Sequence, residues 1–183
     1  MIDFVKLSKY MSMLLRHCPE AAGLSMDGEG YVSLDSLVQA CVGNGYNIDK
    51  SVILGMTTST EKRRFELDAS GNLIRAVQGH SVEVDLKYPS LTPPPYLYHG
   101  TAMRYIAAIV EFGLEKRKRM YVHLSTGIER AESVGRRRGE HALLRIRSLD
   151  MYLAGHQFFV TTNGDWLTVS VPPQYIEVLC EQN

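Results

Sequence analysis

The chain has 183 residues, 45% of them hydrophobic, and its 20 lysines and arginines are balanced by 20 acids. That length admits one large domain or two small ones with real cores, and no run nears the roughly 18 apolar residues of a membrane span. Zero net charge excludes a global field that draws in polyanions, so any nucleic-acid binding has to come from local clusters.

Three such clusters exist: Lys62-Arg63-Arg64, Lys116-Arg117-Lys118-Arg119 and Arg136-Arg137-Arg138. Most runs of this kind are solvated faces, so their position has to decide. The charged N-terminus carries no signal-peptide core. Cys18, Cys41 and Cys180 lie far apart with no metal-ligand spacing. Free thiols in a reducing cytoplasm are expected, and no metal site.

In chain order, Ile2, Phe4, Val5, Leu7, Tyr10, Met11, Leu14 and Leu15 recur at helical spacing and predict a first helix with one buried face. Pro19 ends it near Cys18. Arg16 and His17 are then expected in its last turn, where unpaired carbonyls favour positive groups. A plain helix cap explains the pair as well as a site does. Asp27-Gly28-Glu29-Gly30 reads as a turn before Tyr31-Val32. Ser33 is a good N-cap for a helix carrying Leu34, Leu37, Val38 and Cys41, closed by Gly43-Asn44-Gly45. A third helix is expected from Asn47 or Asp49. The period then shortens: Arg64-Phe65-Glu66-Leu67 and Leu73-Ile74-Arg75-Ala76-Val77 read as two strands around the loop Asp68–Asn72. Three helices and a hairpin are the layout of a winged helix, which by itself establishes no function. Arg64 is either an exposed sheet cation or a phosphate ligand meeting Arg16.

Residues 85–95, with three consecutive prolines, read as a stiff linker between residues 1–84 and 96–183. Tyr96-Leu97-Tyr98 predicts a strand ending in His99-Gly100-Thr101, where glycine would let a ligand approach and the imidazole and hydroxyl would bond ribose or amide groups. A turn with a buried histidine is the competing reading. A helix with Ile106, Ile109 and Val110 closes at Gly113. Tyr121–Ser125 is a strand, and Thr126 with Glu129 forms a capping box for a helix reaching Arg136–Arg138. Strands at Ala142–Ile146, Trp166–Val169 and Tyr175–Leu179 make this half α+β. Neither a P-loop nor a GxGxxG fingerprint occurs, so kinase and hydride-transfer chemistry have no support.

Together these stretches resemble the NAD-dependent RNA 2′-phosphotransferases, the Tpt1/KptA family. The resemblance runs from Leu7-Ser8-Lys9-Tyr10 and Leu15-Arg16-His17 through Lys62–Phe65 and Ile74-Arg75-Ala76-Val77-Gln78-Gly79-His80-Ser81. It continues at Leu97–Thr101, Tyr121–Ser125, Val134–Gly139 and Asn163-Gly164-Asp165-Trp166-Leu167-Thr168. It implies an α+β protein in which a winged-helix lobe joins an ADP-ribosyltransferase-like lobe. The family's catalytic Arg-His-Arg-Arg set falls on Arg16, His17, Arg64 and Arg137. The last is chosen over Arg136 and Arg138 because the family's Arg-His-Gly ending aligns with Arg137-Arg138-Gly139. His99, Gly100, Thr101, His123 and Ser125 would hold the ADP-ribose part of NAD. Three departures stand out: Arg138 replaces a histidine, Thr162 stands where an acid is usual, and Asp165 where a valine is usual.

The implied reaction moves an internal RNA 2′-phosphate to NAD through an RNA-2′-phospho-ADP-ribose intermediate. It yields 2′-OH RNA, nicotinamide and ADP-ribose 1″,2″-cyclic phosphate, as in tRNA splicing or RNA repair. It needs no metal, because arginines stabilise the phosphoryl charge. A monomeric, cytoplasmic enzyme acting on RNA without a membrane is expected. Two other readings stay open: an ADP-ribosyltransferase modifying a terminal nucleic-acid phosphate or a protein, and a non-enzymatic winged-helix DNA-binding regulator.

Overall fold

Asp3 starts the first helix, α1 (Phe4–Arg16), by accepting the N–H groups of Val5 and Lys6 on its carboxylate. The computed structural model describes residues 2–58, 63–136 and 140–179. It divides into two compact units, 1–87 and 88–183. Leu7, Ser8, Met11, Leu14 and Leu15 form the buried stripe of α1. Phe4 and Val5, assigned to that stripe by spacing, are instead exposed, because the first turn runs out beyond the core. Arg16 is the last helical residue and His17 the cap, its N–H on the Met13 carbonyl at 3.0 Å. His17 is thus one residue past the last turn. Pro19 opens a short 3₁₀ turn over Pro19–Ala22.

The rest of the first unit follows in the expected order. β1 (Val32–Ser33) leads into α2 (Leu34–Gly43), capped by Ser33 through the Ser36 N–H. Asp49 caps α3 (Lys50–Thr57). β2 (Phe65–Leu67) and β3 (Leu73–Ala76) form an antiparallel hairpin, and β1 pairs with β3, giving the order β1-β3-β2. The hairpin turn is organised by Asp68, whose carboxylate takes the Ser70 hydroxyl and the Leu73, Ser70 and Asn72 N–H groups. Those bonds, the Ser70 hydroxyl first, pull its pKa down to about 2. The helices bury Leu7, Met11, Leu15, Leu37, Ile53 and Phe65 in one core. Burial there pushes the Cys41 thiol up to about 11. Glu66 and Arg75 face each other across the hairpin at 2.8 Å, both nearly enclosed, with the guanidinium 4.5 Å from the Tyr31 ring centre.

The unit boundary falls at Lys87–Tyr88, and the proline-rich stretch is bonded into the second unit rather than standing apart from it. Leu91 N–H donates to the Phe158 carbonyl, and the carbonyls of Pro89, Pro94 and Pro95 accept from Val160, Ser148 and Leu149. Prolines suit this role because their carbonyls remain acceptors while their missing N–H leaves no donor to satisfy.

In the second unit β4 (Leu97–Ala102) is followed by α4 (Ile106–Phe112), β5 (Leu114–Glu115), β6 (Val122–Leu124) and α5 (Ile128–Arg136). Then come β7 (His141–Ile146), α6 (Ser148–Leu153), β8 (Phe159–Val160), β9 (Trp166–Thr168), β10 (Ser170–Val171) and β11 (Ile176–Leu179). The sheets run β11-β7-β4, β6-β9-β8 and β10-β5, all antiparallel. A bridge between Tyr98 and Ser125 joins β4 to the end of β6. The chain is therefore α+β. No helix among the described residues is long and apolar enough to cross a membrane.

One expectation holds here and one changes. The strand carries His99-Gly100-Thr101 as expected and runs on to Ala102, six residues paired with β7, so the competing turn falls away. The glycine lets a helix come close, since a Cβ at Gly100 would lie 1.9 Å from the Ala131 carbonyl oxygen of α5. α5 begins at Ile128, so Gly127, one residue after Thr126, directly precedes it and its carbonyl accepts the Ala131 N–H. The Thr126–Glu129 box is out of register by that one residue.

Candidate active site

The end of α1 carries the first group. Its last carbonyls lack intrahelical partners, and the returning segment after β3 supplies one. Ser81 and Val82 donate their N–H groups to the Arg16 carbonyl at 2.8 and 3.2 Å. The Ser81 hydroxyl lies 2.9 Å from His17 Nδ1. Gly79, at φ +89°, turns the chain so that its α-carbon faces the Arg16 guanidinium; a Cβ there would stand 3.6 Å from Nη1. His80, between them in sequence, is buried against Gly30, Val84 and Leu86, and neither ring nitrogen has a hydrogen-bond partner among the described residues. Burial, reinforced by the positive charge of Arg16 and Arg75 and by His17, pushes its pKa down to about 4, so the ring is neutral near neutral pH.

Arg64 stands immediately before β2. Its carbonyl accepts the Val77 N–H at 3.0 Å, which extends the hairpin by one more pair, and its Nη1 donates to the Ser8 hydroxyl at 2.7 Å. Val77, bonded to Arg64, and Ser81, bonded to Arg16, are four residues apart, at most ~14 Å of extended chain. Ser8 lies two turns before Arg16 on α1, ~12 Å of helical rise. Arg16 and His17 thus stand at the end of α1, and Arg64, ahead of β2, reaches the same helix at Ser8. Among the described residues Arg64 makes no ion pair, and its partner is a neutral hydroxyl. Sequence reasoning quoted Ser8 and Ser81 without a role for either. Ser8 had a usable signal: a hydroxyl on the apolar stripe of α1, three residues from Met11, needs a partner once buried. Arg137, the fourth expected catalytic residue, lies outside the described residues, as do Arg138 and Lys62.

The second unit holds the other expected residues close together. His99 on β4 and His123 on β6 meet directly: the His99 Nδ1 stands 2.9 Å from the His123 carbonyl. A carbonyl only accepts, so Nδ1 carries the proton and the other nitrogen of the neutral ring is an acceptor. Tyr98 and Ser125 exchange two backbone hydrogen bonds at 2.8 and 2.9 Å, which fixes Ser125 beside the same strand. Thr101 is buried on β4, while Gly100 is covered by α5. The Asp165 departure has a structural account: the carboxylate is buried and paired with Arg130 of α5, and its backbone N–H donates to the Thr161 hydroxyl. Thr162 beside it is exposed.

The RNA 2′-phosphotransferase, Tpt1/KptA family model matches residues 3–170. The chain belongs to this family. A relative from Nostoc punctiforme is 44% identical over 94% of this chain and 96% of its own length. One from Pectobacterium atrosepticum is 44% identical over 93% and 96%, and one from Streptomyces coelicolor 45% identical over 94% and 93%. Each bears the name "Probable RNA 2'-phosphotransferase". The match spans both units.

Proposed function

We propose that this protein is an RNA 2′-phosphotransferase with NAD as co-substrate. The reaction takes an internal RNA 2′-phosphate through an RNA-2′-phospho-ADP-ribose intermediate to 2′-OH RNA, nicotinamide and ADP-ribose 1″,2″-cyclic phosphate. The first unit, in the order α1-β1-α2-α3-β2-β3, is read as the winged-helix lobe, and the second as the ADP-ribosyltransferase-like lobe. The observation that carries the reading is Arg64: a guanidinium held by a neutral hydroxyl on α1, the helix whose end carries Arg16 and His17. A phosphate satisfies such a guanidinium better than a serine does, by charge and by its planar fork.

Arg16 and Arg64 would bind and orient the transferring phosphate, with Arg137 as the third cation, and stabilise the charge that develops on its oxygens. His17 would donate to that phosphate or take the hydroxyl proton. The donor set of the second unit fits a ribose: His99 offers an acceptor nitrogen of fixed tautomer, and Thr101 and Ser125 offer hydroxyls. His123 holds His99 through its carbonyl. Gly100 is the seat of α5 in the strand, and its backbone would stand beside the same ribose.

Incubating the protein with NAD and an oligonucleotide bearing one internal 2′-phosphate tests this by mass. Loss of the phosphate, with ADP-ribose cyclic phosphate released, is the expected result. ADP-ribose left on the nucleic acid would instead indicate the transferase acting on another acceptor, and salt-sensitive duplex binding without nicotinamide release a DNA-binding regulator. Arg64→Ala is expected to cut product formation by roughly a hundredfold or more while the protein stays folded. Near-normal conversion would remove Arg64 from the set.

A further inference from the structure

The Ser81 hydroxyl has one proton, and among the described residues two neighbours could take it. One is His17 Nδ1 at 2.9 Å, and the other is the Arg16 carbonyl at 3.4 Å. Ordinary O–H···O bonds cluster at about 2.7–2.8 Å, so the second distance is too long for a good one. That carbonyl already accepts the Ser81 and Val82 N–H groups. The shorter of the two contacts favours the hydroxyl proton on the line to Nδ1. A neutral imidazole has a single N–H, which then sits on Nε2. If the ring takes a second proton it arrives at Nδ1, and the Ser81 oxygen becomes the acceptor. Nε2 carries a proton in both states.

We infer that Ser81 is a positioning residue that locks His17 in the Nε2–H tautomer, so that Nε2 works as a hydrogen-bond donor and not as a base. This rests on the phosphotransferase reading and chooses between the two roles left to His17 there. The imidazole donates to a phosphoryl oxygen as negative charge builds on it, alongside the arginines. The proton of the attacking hydroxyl passes through a phosphoryl oxygen to the departing RNA 2′-oxygen and not to Nε2, which is already protonated. The shape of the loop suits the role, since Gly79 supplies the turn, the Ser81 and Val82 amides tie the loop to the end of α1, and the hydroxyl is left for the ring. The contact spans 64 residues of sequence, so it is set by tertiary structure alone.

Nitrogen-15 NMR on the full-length protein labelled at histidine reads the tautomer directly. The neutral His17 ring is expected to show a protonated Nε2 and a bare Nδ1. Ser81→Ala keeps both backbone bonds to Arg16, so the fold should hold by circular dichroism. Its His17 signals should average between tautomers, and its rate of cyclic-phosphate release should fall roughly tenfold, equivalent to one ordinary hydrogen bond. Ser81→Thr, which retains the hydroxyl, should restore both spectrum and rate. A wild-type ring protonated at Nδ1, or a Ser81→Ala protein with unchanged tautomer or unchanged rate, overturns the inference. Wild-type protein with the Nε2–H tautomer but no turnover of 2′-phosphorylated RNA would sink the phosphotransferase reading and leave the assignment of the tautomer standing.

Discussion

In the first unit the candidate residues stand at a helix end tied down by a loop, whereas in the second they stand inside paired strands. Each group contains a glycine, and the two are required for different reasons. Gly79 is at φ +89°, a conformation that suits glycine, but a Cβ there would only touch Arg16 at 3.6 Å. Gly100 has an ordinary strand backbone, but a Cβ there would lie inside the contact with the Ala131 carbonyl of α5. One glycine shapes a turn, and the other lets a helix come down onto a sheet. The loop site can be altered locally, while the strand site cannot be changed without moving an element.

The largest effect should come from the strand. Gly100→Ala is expected to destabilise the second unit by about 3 kcal/mol or more, at the upper end of overpacking costs, because backbone of α5 has to move. Urea unfolding measures it, and a loss below about 1 kcal/mol would show that α5 gives way easily. Next is His80, buried behind the loop. Its ring titrates at 6.5 ordinarily and at about 4 in the fold. As the pH falls through that window the unfolded chain takes the proton first, so stability complete above about pH 6.5 is lost towards pH 4. The loss amounts to roughly 2–3 kcal/mol. His80→Leu should flatten that part of the stability-against-pH curve, and an unflattened curve would place the acid sensitivity elsewhere. The smallest effect belongs to the loop glycine: Gly79→Ala should cost about 1–2 kcal/mol through its backbone angle. Gly79→Asn should recover part of it, since asparagine tolerates positive φ. An equal cost for both variants would mean that contact with Arg16, and not the backbone, is what excludes a side chain.

Much of the scaffold was legible because it is local. The caps at Ser33 and Asp49, the break at Pro19 and the two periods around Phe65 and Ile74 each depend on residues a few positions apart. The order of candidate residues along the chain, which carries the resemblance to the family, is also a one-dimensional property. The misreading came where a local pattern fitted two structures, since Thr126-x-x-Glu129 also fits a helix start that lies one residue further on.

By itself, then, the sequence determined the elements, their order, the α+β class and the family, since periodicity, caps and spacing act over short stretches of chain. Only the tertiary structure decided that Ser81 meets His17, that Arg64 reaches Ser8, that Glu66 is enclosed with Arg75 and that α5 settles on Gly100. Those pairings join residues up to 64 positions apart, and nothing in the pattern on either side of such a gap records which distant segment will fill it.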